Sequence, residues 1–329
     1  MALDVLFIGG TGQISLASVR EAVAAGHRVS VFNRGRTGAA LPPGVTQIAG
    51  DMADEAAYHA LAARHFDVVC QFMVFRPEEM SRDIATFAGH TAQYVFISSA
   101  SAYQKPAKHY LITERTPLEN PYWEYSRLKA ASERLLRCQD RLPWTIVRPS
   151  HTVRTRLPTA LGEGDLAAHR ILRSAPVIVH GDGSSLWTLT RAADFSVPFV
   201  RLFGNAGAML EDFHITADRA FTWNQILTAL GDALGVHARI VHVPTDTLIR
   251  YNPGWEGPLL GDKAWPVLFD NSKVRRVAGD FSCADDLATI LAEPVARCVA
   301  RRADGAPPTG ELDPLFDRIA AEQSALGVG

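Results

Sequence analysis

The strongest constraint on the fold is an alternation between Leu3 and about Arg148, where short apolar, β-branched runs exchange with longer stretches of helical period. Strands that alternate with helices in this way must run parallel, because each crossover returns the chain to the same end of the sheet. The spacing predicts strands over residues 5–8, 28–32, 45–48, 67–72, 94–98 and 145–147, and helices over 13–25, 54–64, 77–89 and 123–137. Gly26 after AVAA reads as a helix stop, and Asn120-Pro121 as a start signal just ahead of the last helix. Runs such as YVFIS and WTIV are apolar throughout, as a sheet covered on both faces requires. After Pro149 the pattern loosens into stretches rich in Pro, Gly and Arg, with isolated helical patterns at 165–172 and 223–234. The expectation is an α/β protein with a doubly wound parallel sheet over 1–150 and a smaller α/β domain over 151–329, part of which, near 186–216, returns to the first sheet.

The totals narrow the function. With 47% hydrophobic and 21% charged residues the chain is globular in composition, and a net charge of -2 without any block of Lys or Arg gives nucleic acid or an anionic membrane no electrostatic purchase. Cys70, Cys138, Cys283 and Cys298 have neither metal-ligand nor disulfide-framework spacing, so no metal is expected and reduced thiols in a cytoplasmic protein fit best. The opening MALDVLFIGG reads as a first strand rather than as a signal peptide or membrane span.

In LFIGGTGQIS, glycines follow an apolar strand and precede an amphipathic helix. There the backbone turns tightly, and a helix N-terminus can face a pyrophosphate. Gly9, Gly10, Thr11, Gly12, Gln13 and Ile14 are therefore candidate dinucleotide contacts, with Ser15 standing where a third glycine is usual. At the end of the second strand an acid would hold the ribose hydroxyls of NAD, but Asn33, Arg34 and Arg36 stand there. Guanidinium groups suit a 2′-phosphate, so NADP is expected in preference to NAD. The competing reading makes the two arginines a solvated turn. Asp51, followed by Met52, is a candidate for the adenine, or else belongs with Asp54 to the start of the next helix.

Tyr125 and Lys129 are one helical turn apart in EYSRLKAASERLL and share a face. A phenol with its ordinary pKa near 10 is a poor proton carrier at neutral pH, and a neighbouring ammonium lowers it. Upstream, a strand ends in FISSASAY, where small polar side chains at the carboxyl end of a parallel sheet face the ligand crevice. Ser99 is the candidate to hold a substrate oxygen, with Ser98 and Ser101 as alternatives.

Taken together, GGTGQI, SSASAY, YSRLK and VRPS resemble the extended short-chain dehydrogenase/reductases, the NAD-dependent epimerase/dehydratase family, and GDGSSLWTLTRAADFS, FHITADRAFTWNQILTALGDALG and FDNSKVRR extend the resemblance over nearly the whole chain. The resemblance implies a Rossmann domain and a C-terminal substrate domain, with Ser99, Tyr125 and Lys129 acting on a secondary alcohol or ketone. It also implies that Phe72, Met73 and Val74, Ser98, Pro149, and Tyr125 and Lys129 themselves lie against the cofactor. Its implied partners are a small molecule (a sugar, a nucleotide sugar or another hydroxy or keto compound) and a second copy of the chain, paired through residues 77–89 and 123–137.

Two departures bear on the substrate. Sugar-nucleotide 4,6-dehydratases carry an acidic pair where Ala100 and Ser101 stand, which argues against elimination of water, and His151 replaces the asparagine that holds a sugar diphosphate in many epimerases. His151 reads as an ordinary loop residue, and Arg154 and Arg156 either clamp an anion or are solvated. NPGWEGP reads as a cover over the site, and Trp223 as a core residue. The leading expectation is an NAD(P)-dependent reductase or epimerase. The alternative is a non-catalytic dinucleotide sensor or RNA-associated regulator on the same fold, since FNRGR also resembles the chloroplast stem-loop-binding proteins.

Overall fold

Every short apolar run of the first half forms a strand. The computed structural model describes residues 1–36, 38–162, 164–303 and 312–325. Strands β1 (Asp4–Ile8), β2 (Arg28–Asn33), β3 (Thr46–Ala49), β4 (Phe66–Gln71), β5 (Thr91–Ile97), the two-residue β6 (Leu111–Ile112) and β7 (Trp144–Pro149) enclose helices α1 (Ser15–Ala24), α2 (Glu55–His59), α3 (Pro77–Phe87) and α4 (Glu124–Arg137). The helix expected over 54–64 is shorter than its pattern, because Ala60–Ala63 tighten into a 3-10 turn. Helix α1 stops where the sequence says it should: Gly26 takes a φ of 84° and its N–H bonds to Val23 O at 3.0 Å.

The second half adds β8 (His151–Val153), α5 (Leu166–Leu172), β9 (Val177–His180), β10 (Leu186–Arg191), α6 (Ala192–Arg201), β11 (Glu211–Ile215), β12 (Ala220–Thr222), α7 (Trp223–Leu234), β13 (Ile240–Val243) and β14 (Leu268–Phe269). The central sheet has seven parallel strands in the order β11-β7-β5-β4-β1-β2-β3. Its outermost strand on one side, β11, comes from the second half of the chain, and α6 packs across α1 to reach it. A smaller sheet, β12-β10-β8, surrounds the buried Trp187 and Trp223, whose rings lie 5.3 Å apart. Trp223 is wholly buried, as its sequence context suggested.

Strand order reverses at β1, which has β2 on one side and β4 on the other. Ile8 pairs with both Phe32 and Gln71, and Ile97 with Val147, so the strands end at one level. Gly9, Asn33, Phe72 and Ser98 therefore leave the sheet in a row along its carboxyl edge. A crevice opens there because the crossovers diverge to opposite faces.

Candidate active site

The glycine turn is built by exclusion. Gly9 has a φ of 86°, a region that disfavours side chains, and a Cβ on it would lie 2.5 Å from Met73 Cγ. A Cβ on Gly10 would stand 2.8 Å from both methyls of Val31, so this glycine lets α1 close onto β2. Ser15, in place of a third glycine, knits the turn together: its hydroxyl donates to Gly9 O at 2.6 Å and accepts from Gly12 N at 2.8 Å. The turn is also braced from outside. Arg154 donates to Gly12 O and Gln13 O, each at 3.1 Å, and the Gln13 amide exchanges hydrogen bonds with Thr155. Arg154 is thus a strut rather than an anion clamp, and the Gln13 side chain is already engaged.

Beside the turn lies a cleft of about 630 Å³. Gly9, Thr11, Gly12 and Met73 line one wall, and Asn33, Arg34, Arg36, Asp51 and Met52 the other. Asn33 Oδ1 accepts from Gly35 N and Gln47 Nε2, both at 2.9 Å, while Nδ2 is buried without a partner among the described residues. That orphaned donor and the two exposed guanidinium groups make this end of the cleft a donor-rich surface. The acidic pair divides its work: Asp54 caps α2 by accepting from Ala57 N at 3.1 Å, and Asp51 faces the cleft.

Sequence reading missed Phe75, Glu79 and Arg82, which line the same cleft from the start of α3. Arg82 donates to Met52 O at 2.8 Å and lies 4.4 Å over the Tyr58 ring, contacts that no local pattern announces. Buried Asp83 fixes this helix to the sheet by accepting from Tyr58, Gln71 and Tyr94. Three expected cofactor residues turn elsewhere. Ile14 and Phe72 pack against the apolar core under the sheet, and Val74 is fully buried in the core of the other face. Phe72, directly after β4, still alternates as a strand residue does and points in. Ser98 is buried as well, its hydroxyl without a partner among the described residues.

Ser99, Tyr125 and Lys129 come together at the carboxyl edge. Ser99 and Tyr125 line one chamber of about 270 Å³ with Pro149. Burial raises the Tyr125 phenol above its ordinary value, hydrogen bonding with Ser99 lowers it in part, and the charge of Asp262 raises it. Ser101 is committed elsewhere: its hydroxyl pairs with those of Ser99 at 2.9 Å and Ser126 at 2.8 Å, leaving Ser99 as the serine facing the tyrosine. Lys129 is almost fully buried and donates to Val74 O at 2.6 Å and Ile97 O at 2.9 Å. Its ammonium lies 5.9 Å from the Tyr125 ring centre, and burial, Ser99 and Asp262, rather than this ammonium, set the phenol's shift, so the expected lowering by the lysine is not seen. Burial brings Lys129 down to about 7, against the opposing pull of Glu133 and Glu79.

Helix α4, which carries this pair, rests on a buried ion network. Arg148 on β7 forms two hydrogen bonds with Glu133, at 2.8 and 2.6 Å, and reaches Asp212 at 2.7 Å and Tyr103 Oη at 2.9 Å. Helix, sheet and outermost strand are thereby locked in one register.

The small chamber continues into an outer one of about 600 Å³, and Trp123 and His151 line both. His151, expected as a plain loop residue, is therefore part of the wall. Burial and the charge of Lys263 push it down to about 3, so it is neutral. Arg156 and Lys263 line the outer chamber, and NPGWEGP supplies a helical wall in which Trp255 is buried against Phe316. Asp262 lines the inner chamber, and burial raises it to about 6 despite Lys105 and Lys263 nearby.

Residues 9–164, which span this cleft and the Tyr125 helix, match the NAD(P)H-binding family. Over that range the chain is similar to NAD(P)H-binding proteins, and its parallel seven-stranded sheet with flanking helices is the Rossmann-like fold of epimerase and dehydratase structures. A 2′-dehydrokanamycin reductase from Streptomyces kanamyceticus is 26% identical, the match covering 99% of this chain and 93% of the reductase. The chloroplast stem-loop binding protein of 41 kDa b from Arabidopsis thaliana is 26% identical over 76% of this chain and 66% of its own. A UDP-glucose 4-epimerase from Thermotoga maritima, solved with UDP-glucose, superposes with a TM-score of 0.71 at 18% identity, covering 91% of this chain and 99% of the epimerase. At that identity the likeness is one of fold. Among the described residues, no helix is long and apolar enough to cross a membrane.

Proposed function

We propose that this protein is an NADP(H)-dependent reductase that passes hydride between the nicotinamide and a secondary alcohol or ketone of a cyclic, sugar-like substrate. The observation that carries the reading is the convergence of Ser99 and Tyr125 in one chamber, with Lys129 behind the phenol, beside a cleft whose glycines leave room for a dinucleotide. The likeness to 2′-dehydrokanamycin reductase over nearly the full length of both chains favours reduction over epimerisation. The family likeness, the glycine cradle and the orphaned Asn33 amide fit a dinucleotide, which would supply the hydride.

Ser99 holds the substrate oxygen and Tyr125 moves the proton. Burial keeps the phenol protonated, the form that can donate to a carbonyl oxygen as hydride arrives at its carbon. A charged Lys129 favours the phenolate left behind, and a group near 7 can carry or shed that charge at neutral pH. The preference for NADP rests on Asn33 Nδ2, Arg34 and Arg36, which are donors where NAD would need an acceptor.

The test is NADPH oxidation, followed by absorbance, over a panel of cyclic ketones that includes 2′-dehydrokanamycin. Turnover with at least one ketone is expected. Tyr125→Phe should lose about 10²- to 10⁴-fold in kcat while keeping its NADPH affinity. No oxidation of NADPH with any ketone, together with RNA held at physiological salt, would replace this reading by the regulatory one.

A further inference from the structure

The segment GWEGPLLGDK folds into an unusual feature, a π-helical turn over Leu259–Lys263. Such turns are rare and concentrate at functional sites. This one is fastened to the catalytic helix through two glycines. A Cβ on Gly257 would fall 2.5 Å from Trp123 Cδ1, and one on Gly261 would fall 2.7 Å from Trp123 Cβ, so Trp123 seats in a groove only glycines leave open. Trp123 immediately precedes α4, and its ring lies 5.0 Å from that of Tyr125. A second fastening comes from Asn120, whose Nδ2 donates to Gly261 O at 2.6 Å and to Ser101 O at 2.7 Å. The residue after Gly261 is therefore held in fixed relation to both Ser99 and Tyr125.

That residue is Asp262. It lines the inner chamber with Ser99, Tyr125 and His151, and among the described residues its carboxylate has neither a hydrogen-bond donor nor a direct ion-pair partner. A carboxylate oxygen without donors is costly in a confined site and is satisfied by what enters it. The charges around it decide what kind of group enters. Lys105, buried with its ammonium unpartnered, and Lys263 both act on Asp262, and His151 is neutral. With the Lys105 ammonium already acting on the carboxylate, a neutral hydroxyl is a more fitting donor than a second cation. The chamber, about 270 Å³, is at the small end for ligand pockets and suits a single ring, the rest of the molecule extending past Trp123 and His151.

We propose that Asp262 is a substrate-recognising residue whose carboxylate accepts a hydrogen bond from a ring hydroxyl near the reacting carbon. The site then takes a polyhydroxylated cyclic ketone with a hydroxyl, not an amine, at that position. This rests on the reductase reading above and deepens it by naming the substrate class.

The experiment uses the full chain carrying Tyr125→Phe and loaded with NADPH, titrated calorimetrically so that no turnover is needed. The probes are methyl α-D-ribo-hexopyranosid-3-ulose, its 2-amino-2-deoxy analogue, and tetrahydropyran-3-one, which has no hydroxyl. The hydroxylated ring should bind most tightly. Adding Asp262→Ala should weaken it about 10- to 100-fold, the scale of a lost hydrogen bond to a charged acceptor, and leave tetrahydropyran-3-one unchanged. Asp262→Asn, which keeps an acceptor oxygen, should lose less. In the protein that keeps Tyr125, KM rather than kcat should rise in the Asp262 variants for a hydroxylated ketone, with neither constant changed for tetrahydropyran-3-one. Unchanged NADPH affinity in each variant establishes that the fold survives. Equal binding of the hydroxylated and unsubstituted rings, a tighter amine analogue, or an Asp262→Ala variant as good as its parent would each overturn the proposal. A protein that binds the hydroxylated ring through Asp262 but never oxidises NADPH would refute the reductase reading alone.

Discussion

The glycine-turn cleft and the Tyr125 chamber are neighbours on one sheet edge but are assembled in opposite ways. The cleft is made of short segments that each directly follow a strand, Gly9 to Gly12 after β1, Asn33 to Arg36 after β2, Gly50 to Ala53 after β3. Much of its surface is backbone. The chamber is made of side chains, Ser99, Tyr125, His151, Trp187 and Asp262, drawn from separate elements across both halves of the chain. A backbone-built site needs only its turns, whereas a side-chain site needs every supporting contact to hold. Arg154 and Arg82 brace the cleft through backbone carbonyls, whereas the chamber rests on contacts between side-chain-bearing elements: the Arg148 network under α4 and the Asn120 and Trp123 fastenings of the π-helical turn.

The contrast can be broken most directly through a strut. Glu133→Ala leaves the buried Arg148 guanidinium short of a partner, and unfolding free energy should fall by about 3 kcal/mol, the scale of a broken buried pair. Urea unfolding measures it, and a loss below about 1 kcal/mol would mean that the chamber does not depend on this network. A smaller effect is expected at the cleft, where Arg34→Ala combined with Arg36→Ala should weaken NADPH about tenfold, with NADH unchanged and stability untouched. Equal losses for both cofactors in a fluorescence titration would reduce the arginines to a solvated turn.

A third effect, spread over pH, sharpens the comparison. His151 and His180 belong to the second half and are held neutral, at about 3 and about 4. Between pH 6.5 and 4 the unfolded chain takes up protons at these histidines that the folded chain refuses, so they make stability fall as pH falls. Asp262, raised to about 6, works the other way: below that pH the folded carboxyl is protonated before the unfolded one, and stability rises as pH falls toward 4. His151→Gln should remove up to ~1.4 kcal/mol per pH unit from the falling limb, and urea midpoints at pH 6.5, 5 and 4 would reveal it. An unchanged slope would place that histidine in contact with solvent.

The legibility of the molecule follows the same division. Strand and helix periodicity, the glycine turn, the Gly26 stop and the one-turn spacing of Tyr125 and Lys129 are all local, and the structure keeps each of them. The places where reading along the chain failed are places where a partner far away decides. Val74 and Phe72 follow a strand as cofactor contacts would, yet the apolar cores claim their side chains. Arg154 has the chemistry of an anion clamp, yet the carbonyls of Gly12 and Gln13 use it. Arg82 carried no local signal and lies in the cleft, and His151 looked like loop and forms a wall.

By itself the sequence determined the parallel sheet, the glycine turn and the one-turn spacing of Tyr125 and Lys129, because periodicity, glycine geometry and helical spacing act over a few residues. Only the tertiary structure decided which serine faces the phenol, that Lys129 is anchored on two backbone carbonyls beside the tyrosine ring, and that Asp262 enters the chamber from a segment more than a hundred residues away. Those choices depend on desolvation and on contacts between distant segments, and neither exists until the chain has closed around them.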